Sequence, residues 1–120
     1  MRETKSTNPE RITLIRFLKK QGREKQAPIW LDIADNLAKP KSQRAAVNLS
    51  RINRYTQRRD IIIVPGKILG TGTLNHSLTV AAFDLSTKAE EKLTAAKAKY
   101  VSIPELVEKN PTGANVKIIR

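Results

Sequence analysis

A group of glycines with one lysine lies in the middle of the chain, where residues 64–80 read VPGKILGTGTLNHSLTV. Such loops bind nucleotide phosphates in many enzymes, because bare backbone N–H groups and an ammonium group together cradle an anion. A P-loop, however, needs its lysine at the end of the motif, where it opens a helix, whereas Lys67 directly follows the first glycine. The residues after Gly72 read as a strand, so the dinucleotide fingerprint, whose glycines run into a helix, also fails. The pattern therefore disfavours a nucleotide site.

Two other interpretations of this loop stay open on the residues alone. The glycines could shape a strand-to-strand connection by adopting positive φ angles. Alternatively, backbone without side chains could let a sugar-phosphate chain approach closely, with Lys67 and the hydroxyls of Thr71 and Thr73 as contacts.

The strongest chemical signal is a run of bases over residues 39–59, which holds seven Lys and Arg side chains and no acid. Solvated surfaces usually mix both signs of charge, and here amides, hydroxyls and Tyr55 are interleaved with the bases instead. Arginine forks and amides suit phosphates, 2′-hydroxyls and base edges, and Tyr55 could stack on an unpaired base or equally belong to the core. Including the glycine loop, the predicted nucleic-acid-binding residues are Lys39, Lys41, Arg44, Asn48, Ser50, Arg51, Asn53, Arg54, Tyr55, Arg58, Arg59, Lys67, Gly70, Thr71 and Gly72.

The charge of the whole chain favours the same kind of partner. Its 120 residues include 23 Lys and Arg against 11 Asp and Glu, and the first 60 residues hold 15 of the bases and 6 of the acids. A net charge of +12 suits a polyanionic partner.

The chain has no cysteine, its acids are dispersed and His76 is its one histidine, so the sequence predicts no catalytic residue, no metal site and no cofactor. It also lacks a membrane-length apolar run and a secretory signal, which favours a soluble cytoplasmic protein.

The hydrophobic pattern predicts helices first and a mixture of strands and helices afterwards. Two helices are expected over TNPERITLIRFLKKQG, ending at Gly22, and over APIWLDIADNLAKP, with Trp30 packed in the core. Val47 and Leu49 indicate a short extended segment. Strands are expected at DIIIVP, SLTVAAF, YVSI and NVKIIR, and helices at STKAEEKLTAAKAK and PELVEKN. This order predicts one small α/β domain over residues 1–120, with a basic helical half, 1–60, and an α/β half, 61–120.

Several segments together resemble the large-subunit ribosomal proteins numbered eighteen in archaea and eukaryotes, which are related to bacterial number fifteen. They are TNPERITLIRFL, APIWLDIADNLAKP, AAVNLSRINRYT, IIIVPGKILGTGTLNHSLTVAAFDLSTKAEEKL and NPTGANVKIIR, in family order and spacing over nearly the whole chain. The short length resembles the archaeal form. One departure is that the family often has paired glycines where this chain has Lys97 and Ala98.

The resemblance implies a non-enzymatic constituent of the large ribosomal subunit that binds large-subunit rRNA and contacts neighbouring ribosomal proteins in the cytoplasm. It implies N-terminal helices followed by irregular β-β-α units, for which we expect a mixed sheet. VNLSRINRYT and VPGKILGTGTL match family segments expected near RNA. The alternatives are a free-standing chromatin-type nucleic-acid-binding protein, which would bind duplex DNA as well as rRNA, and a nucleotide-dependent enzyme, which the position of Lys67 disfavours.

Overall fold

A computed structural model describes residues 9–120, so Thr7 and Asn8, with which the predicted first helix begins, lie outside the described residues. The helices are α1 (Pro9–Glu24), α2 (Pro28–Ala38), α3 (Leu49–Tyr55), α4 (Thr87–Ala95) and α5 (Ile103–Lys109), with a 3₁₀ turn over Lys41–Gln43. The strands are β1 (Ala45–Asn48), β2 (Ile61–Leu69), β3 (Thr79–Leu85), β4 (Lys99–Val101) and β5 (Val116–Ile118). The α/β class is confirmed.

Helices α1 and α2 pack against each other as an N-terminal hairpin. The prediction that α1 ends at Gly22 is wrong, because the helix continues to Glu24 and the chain turns at Gln26, where φ is 51°. A Cβ on Gly22 would lie 2.8 Å from the Leu31 side chain, so this glycine lets the two helices approach closely. Trp30 is fully buried, as predicted, and its Nε1 donates a hydrogen bond to the carbonyl of Pro111 at 2.7 Å.

The strands form one sheet in the order β1-β2-β3-β4, and β5 pairs with the first half of β2 while β1 pairs with the second half. Every pairing among the described residues is parallel, so the expectation of a mixed sheet is wrong. Parallel strands buried on both faces read as continuous apolar runs, and this is how residues 61–64 read.

Strand β2 continues past the proline at which the sequence predicted its end. The register against β3 shifts between Val64 and Lys67, which marks a bulge at Pro65 and Gly66. Proline cannot donate to the ladder, and a bulge is where a strand tolerates it. A Cβ on Gly66 would lie 2.0 Å from the carbonyl oxygen of Ala45, so the pairing with β1 requires glycine at this position.

Two hydrophobic cores lie on the two faces of the sheet, because neighbouring strand residues point to opposite faces. Ile63 and Ala81 pack with α1, α2 and α5 in one core. Ile62 and Val80 pack with α3, α4 and Leu78 in the other. The sheet therefore separates the N-terminal helices from α3 and the glycine loop.

The basic stretch contains a helix that the sequence pattern did not predict. The extended segment expected around Val47 and Leu49 ends at Asn48, and α3 begins at the next residue. A helix of seven residues contains only two turns, so the buried Leu49 and Ile52 are too few to establish a helical period against the preceding apolar residues.

Candidate nucleic-acid interface

Helix α3 presents its bases to solvent and its apolar residues to the core. Leu49 and Ile52 are buried, whereas Arg51, Arg54 and Tyr55 are exposed. These exposed residues are related as i, i+3 and i+4, so they share one face of the helix. We call this face the α3 surface.

The one aromatic ring of the α3 surface lies beside a guanidinium group. The Cζ atom of Arg51 is 5.0 Å from the centroid of the Tyr55 ring, within cation–π range. Tyr55 is 53% exposed and does not belong to the core. A planar cation and an exposed ring side by side are groups that stack on unpaired bases and contact phosphates.

The glycine loop, residues 70–78, connects the parallel strands β2 and β3 and runs alongside α3. The amide of Ser50 donates a hydrogen bond to the carbonyl of Thr71 at 3.1 Å. Further along, the amide of Asn75 donates to Asn53 Oδ1 at 2.9 Å. The loop is therefore the strand-to-strand connection that one of the two open interpretations proposed.

Packing within the protein explains two of its glycines. A Cβ on Gly70 would lie 2.7 Å from the Cβ of Lys88. Gly72 has a φ of 94°, and a Cβ there would lie 2.5 Å from the Cβ of Ser50. Gly70 is buried against α4, Gly72 is half-buried and Thr71 is exposed.

Two residues that the sequence analysis did not assign to the site hold the loop in place. Lys92 Nζ donates hydrogen bonds to the carbonyls of Gly70 at 2.7 Å and of Gly72 at 2.6 Å. His76 is half-buried, and its Nε2 lies 2.8 Å from Thr56 Oγ1. The spacing of residues along the chain gives no signal for either contact, since each joins residues 20 or more positions apart.

The strands end together at the edge where α3 and the loop begin. Asn48 is in register with Leu69, and Ile68 with Leu85. The carboxyl ends of β1, β2 and β3 thus place the start of α3, the glycine loop and the start of α4 side by side. In open parallel sheets, ligands bind at this edge.

The predicted residues do not all lie on this side of the sheet. Ile68 packs in the α3 core, so its neighbour Lys67, which is exposed, points to the face that carries α1 and α2. Arg44 is half-buried before β1, where its own desolvation and then the nearby Arg11 guanidinium lower its pKa. Lys39 follows α2, and Lys41 lies in the 3₁₀ turn.

The remaining predicted residues lie on or next to α3. Asn48 is the residue before the helix and is half-buried, and Ser50 is exposed in its first turn. Arg58 and Arg59 are exposed in the turn that follows, and the amide of Arg59 donates to the carbonyl of Ser77 at 3.0 Å. The structure thus divides the predicted set into a group around α3 and the loop and a group on the side of α1 and α2.

Within residues 9–120, no cluster of His, Cys, Asp or Glu has the makings of a metal site. No helix in this part of the chain is long and apolar enough to span a membrane.

Residues 1–120 match the family described as ribosomal protein 60S L18 and 50S L18e. The chain belongs to this family. It is 46% identical over 114 residues to the large ribosomal subunit protein eL18 of Halobacterium salinarum, a match that covers 95% of this chain and 97% of the relative. It is 44% identical over 119 residues to the protein of the same name from Methanoregula boonei, covering 99% and 98% of the two chains. The Methanococcus maripaludis protein of that name is 42% identical over 119 residues, covering 99% of each chain. The resemblance stated from the sequence is confirmed, including its archaeal form.

Proposed function

We propose that this chain is a structural constituent of the large ribosomal subunit, where it binds and stabilises folded large-subunit rRNA. Family membership over the full chain carries this proposal. Such a protein works in the cytoplasm within the ribosome, next to rRNA and neighbouring ribosomal proteins. The family is one of structural ribosomal proteins, in agreement with the prediction that the chain is not an enzyme.

The α3 surface is the part of the molecule that we assign to rRNA contact. Folded RNA brings phosphates close together, and their repulsion favours opening of the fold. Cations held at fixed positions reduce that repulsion, while Tyr55 offers a ring for stacking on an unpaired base. The buried Leu49 and Ile52 and the adjoining loop hold α3 in place, so its exposed side chains meet the RNA from a preformed surface.

Neutralising the two arginines of α3 tests this assignment. In the Arg51→Gln/Arg54→Gln variant, glutamine keeps the helix propensity but removes two positive charges. Affinity for large-subunit rRNA in a filter-binding titration should fall roughly 10-fold, and the slope of log K against log salt should shrink by about two. The matched control is Lys97→Gln/Lys99→Gln, which removes the same charge from two exposed lysines, one in the turn after α4 and one at the first position of β4.

The results test the assignment of the α3 surface separately from the proposal that the protein binds rRNA. If the α3 variant keeps wild-type affinity and salt slope, the α3 surface is not the rRNA-binding site. The unmodified protein should itself lose about 10³–10⁵ in affinity between 50 and 200 mM salt if it makes about six to ten phosphate contacts.

Sedimentation of a cell lysate tests the ribosomal role directly. We expect the protein in stoichiometric amount in the large-subunit peak of a sucrose gradient, before and after a high-salt wash. Recovery mainly in soluble or DNA-bound fractions would contradict the proposed function and favour a chromatin-type protein.

A further inference from the structure

Helix α1 carries a second set of bases on the face that points away from its core. Leu14 and Leu18 are buried against α2 and α5. At about 100° per residue, four bases fall within a sector of about 100° on the nearly opposite side of the helix. We call them the α1 surface, and its members are Arg16, Lys19, Lys20 and Arg23.

These four cations form no ion pair with any of residues 9–120. None of them forms a hydrogen bond with another described residue either. They line a shallow surface groove, in which Glu24 is the one carboxylate among the residues that the structure describes. Exposed cations elsewhere do pair, for example Lys117 with Asp60 at 2.8 Å and Arg120 with Asp32 at 3.1 Å. The α1 surface is thus a place where the fold leaves positive charge uncompensated.

The arrangement of the four bases is unfavourable in the isolated protein. Arg16 is three and four positions from Lys19 and Lys20, and Arg23 is four and three positions from the same lysines. Like charges at these spacings repel on a helix surface. An anionic partner that covered the surface would remove this repulsion.

The α1 surface lies on the other side of the sheet from the α3 surface. The core residues of α1 pack with Ile63, whereas those of α3 pack with its neighbour Ile62, which points to the opposite face. One locally continuous stretch of RNA on the α3 surface would therefore not cover α1.

We propose that the α1 surface binds the phosphate backbone of a second rRNA segment, so that the protein joins two segments across its sheet. This proposal rests on the proposed function, because it adds a second RNA contact to a protein that already binds rRNA.

The chemistry of the α1 surface fits phosphate better than a protein partner. The centres of protein interfaces are enriched in aromatic residues, methionine and arginine, and they are depleted in lysine. Here two lysines and two arginines form the surface, and it contains no aromatic residue. Such a surface supplies several point charges, which position a phosphate chain without reading its sequence.

Footprinting with the full chain on large-subunit rRNA tests the proposal. Hydroxyl-radical protection is compared for the wild type, Arg16→Gln/Lys20→Gln, Arg51→Gln/Arg54→Gln and the control Lys97→Gln/Lys99→Gln. All four proteins are used at saturating concentration, and circular dichroism with thermal unfolding verifies that each is folded. We expect the α1 variant to lose one set of protected nucleotides and the α3 variant to lose a different set. The rRNA affinity of the α1 variant should fall roughly 10-fold.

Three other results would each contradict a different part of the proposal. If the α1 variant keeps every protection while the α3 variant loses its set, the second contact is wrong and the proposed function stands. If the α1 variant keeps its rRNA footprint but loses a chemical cross-link to an acidic subunit protein, the surface binds protein and the proposal is overturned. If the wild-type protein protects no rRNA, the proposed function itself fails.

Discussion

Gly72 is the residue at which conformation and packing both exclude a side chain. Its φ of 94° lies in the left-handed region, and its Cα faces Ser50 at the start of α3. The carbonyl of the same residue accepts a hydrogen bond from Lys92. A glycine that looked like part of a phosphate loop is therefore required by the connection between two strands.

We expect Gly72→Ala to lower the free energy of unfolding by at least about 2 kcal/mol. A left-handed conformation costs an L-residue about 1–2 kcal/mol, and overpacking against Ser50 adds about 1–3 kcal/mol. Urea denaturation followed by circular dichroism measures the change, with Thr73→Ala, at an exposed position of the same loop, as control. A Gly72→Ala protein as stable as that control would show that the loop shifts without cost.

At the scale of elements, the unusual feature is the connection between β2 and β3. Two neighbouring parallel strands must be joined by a crossover connection, which usually contains a helix. Here nine residues cross without one, held by α3 on one side and by Lys92 of α4 on the other. Because α3 and the loop share hydrogen bonds, the position of the α3 surface depends on the conformation of the loop.

Lys92→Met should destabilise the protein by about 2 kcal/mol, because two loop carbonyls lose a charged hydrogen-bond donor. Methionine retains most of the apolar stem, so the change isolates the ammonium group. Hydrogen exchange at the amides of residues 70–78 should become faster, and thermal unfolding should report the lost stability.

The matched control is Lys88→Met, one turn earlier on the same helix, where the exposed side chain forms no hydrogen bond with the described residues. Equal exchange rates in the two variants would contradict the role assigned to Lys92.

At the scale of the whole molecule, one ion pair as well as strand pairing attaches the C-terminal strand β5 to the rest of the fold. Asp60 Oδ2 accepts hydrogen bonds from Lys117 Nζ on β5 and from the amide of Gln57, both at 2.8 Å. The bond from Lys117, and then the one from Gln57, lowers the pKa of Asp60 below its ordinary value. Asp60 thus ties the turn after α3 to the end of the chain.

Because this pKa is lowered in the folded protein, the free energy of unfolding depends on pH in the acidic range. The unfolded chain takes up the proton at a higher pH than the folded protein does, so the contribution of Asp60 is complete above the unfolded pKa of about 3.9. It is lost as the pH falls below that value through the folded pKa. In urea unfolding between pH 5 and 3, Asp60→Asn should therefore show a weaker pH dependence than the wild type. Asp35→Asn, at an exposed position of α2, serves as control, and parallel curves for wild type and Asp60→Asn would refute the prediction.

The local sequence predicted most elements, because their signals lie within a few residues of each other. Pro28 marks the start of α2, and Ser86, the first residue of the predicted STKAEEKLTAAKAK helix, caps α4 by accepting a hydrogen bond from the amide of Ala89. The apolar run at β2 indicated a buried strand before its neighbours were known. Lys97, which departs from the glycine expected from the family resemblance, adopts a φ of 60°, so this chain makes a left-handed turn after α4 without glycine.

By itself the sequence determined the α/β class, the basic character and the family, because composition and local motifs carry that information. The tertiary structure decided the parallel pairing, the division of the bases between the two faces of the sheet, and the roles of Lys92 and His76 in holding the loop. The physical reason is that side-chain direction depends on strand register, and strand register depends on contacts between residues far apart in the chain. Lys67 shows this most clearly: one bulge and one pairing partner decide which face of the sheet receives its charge.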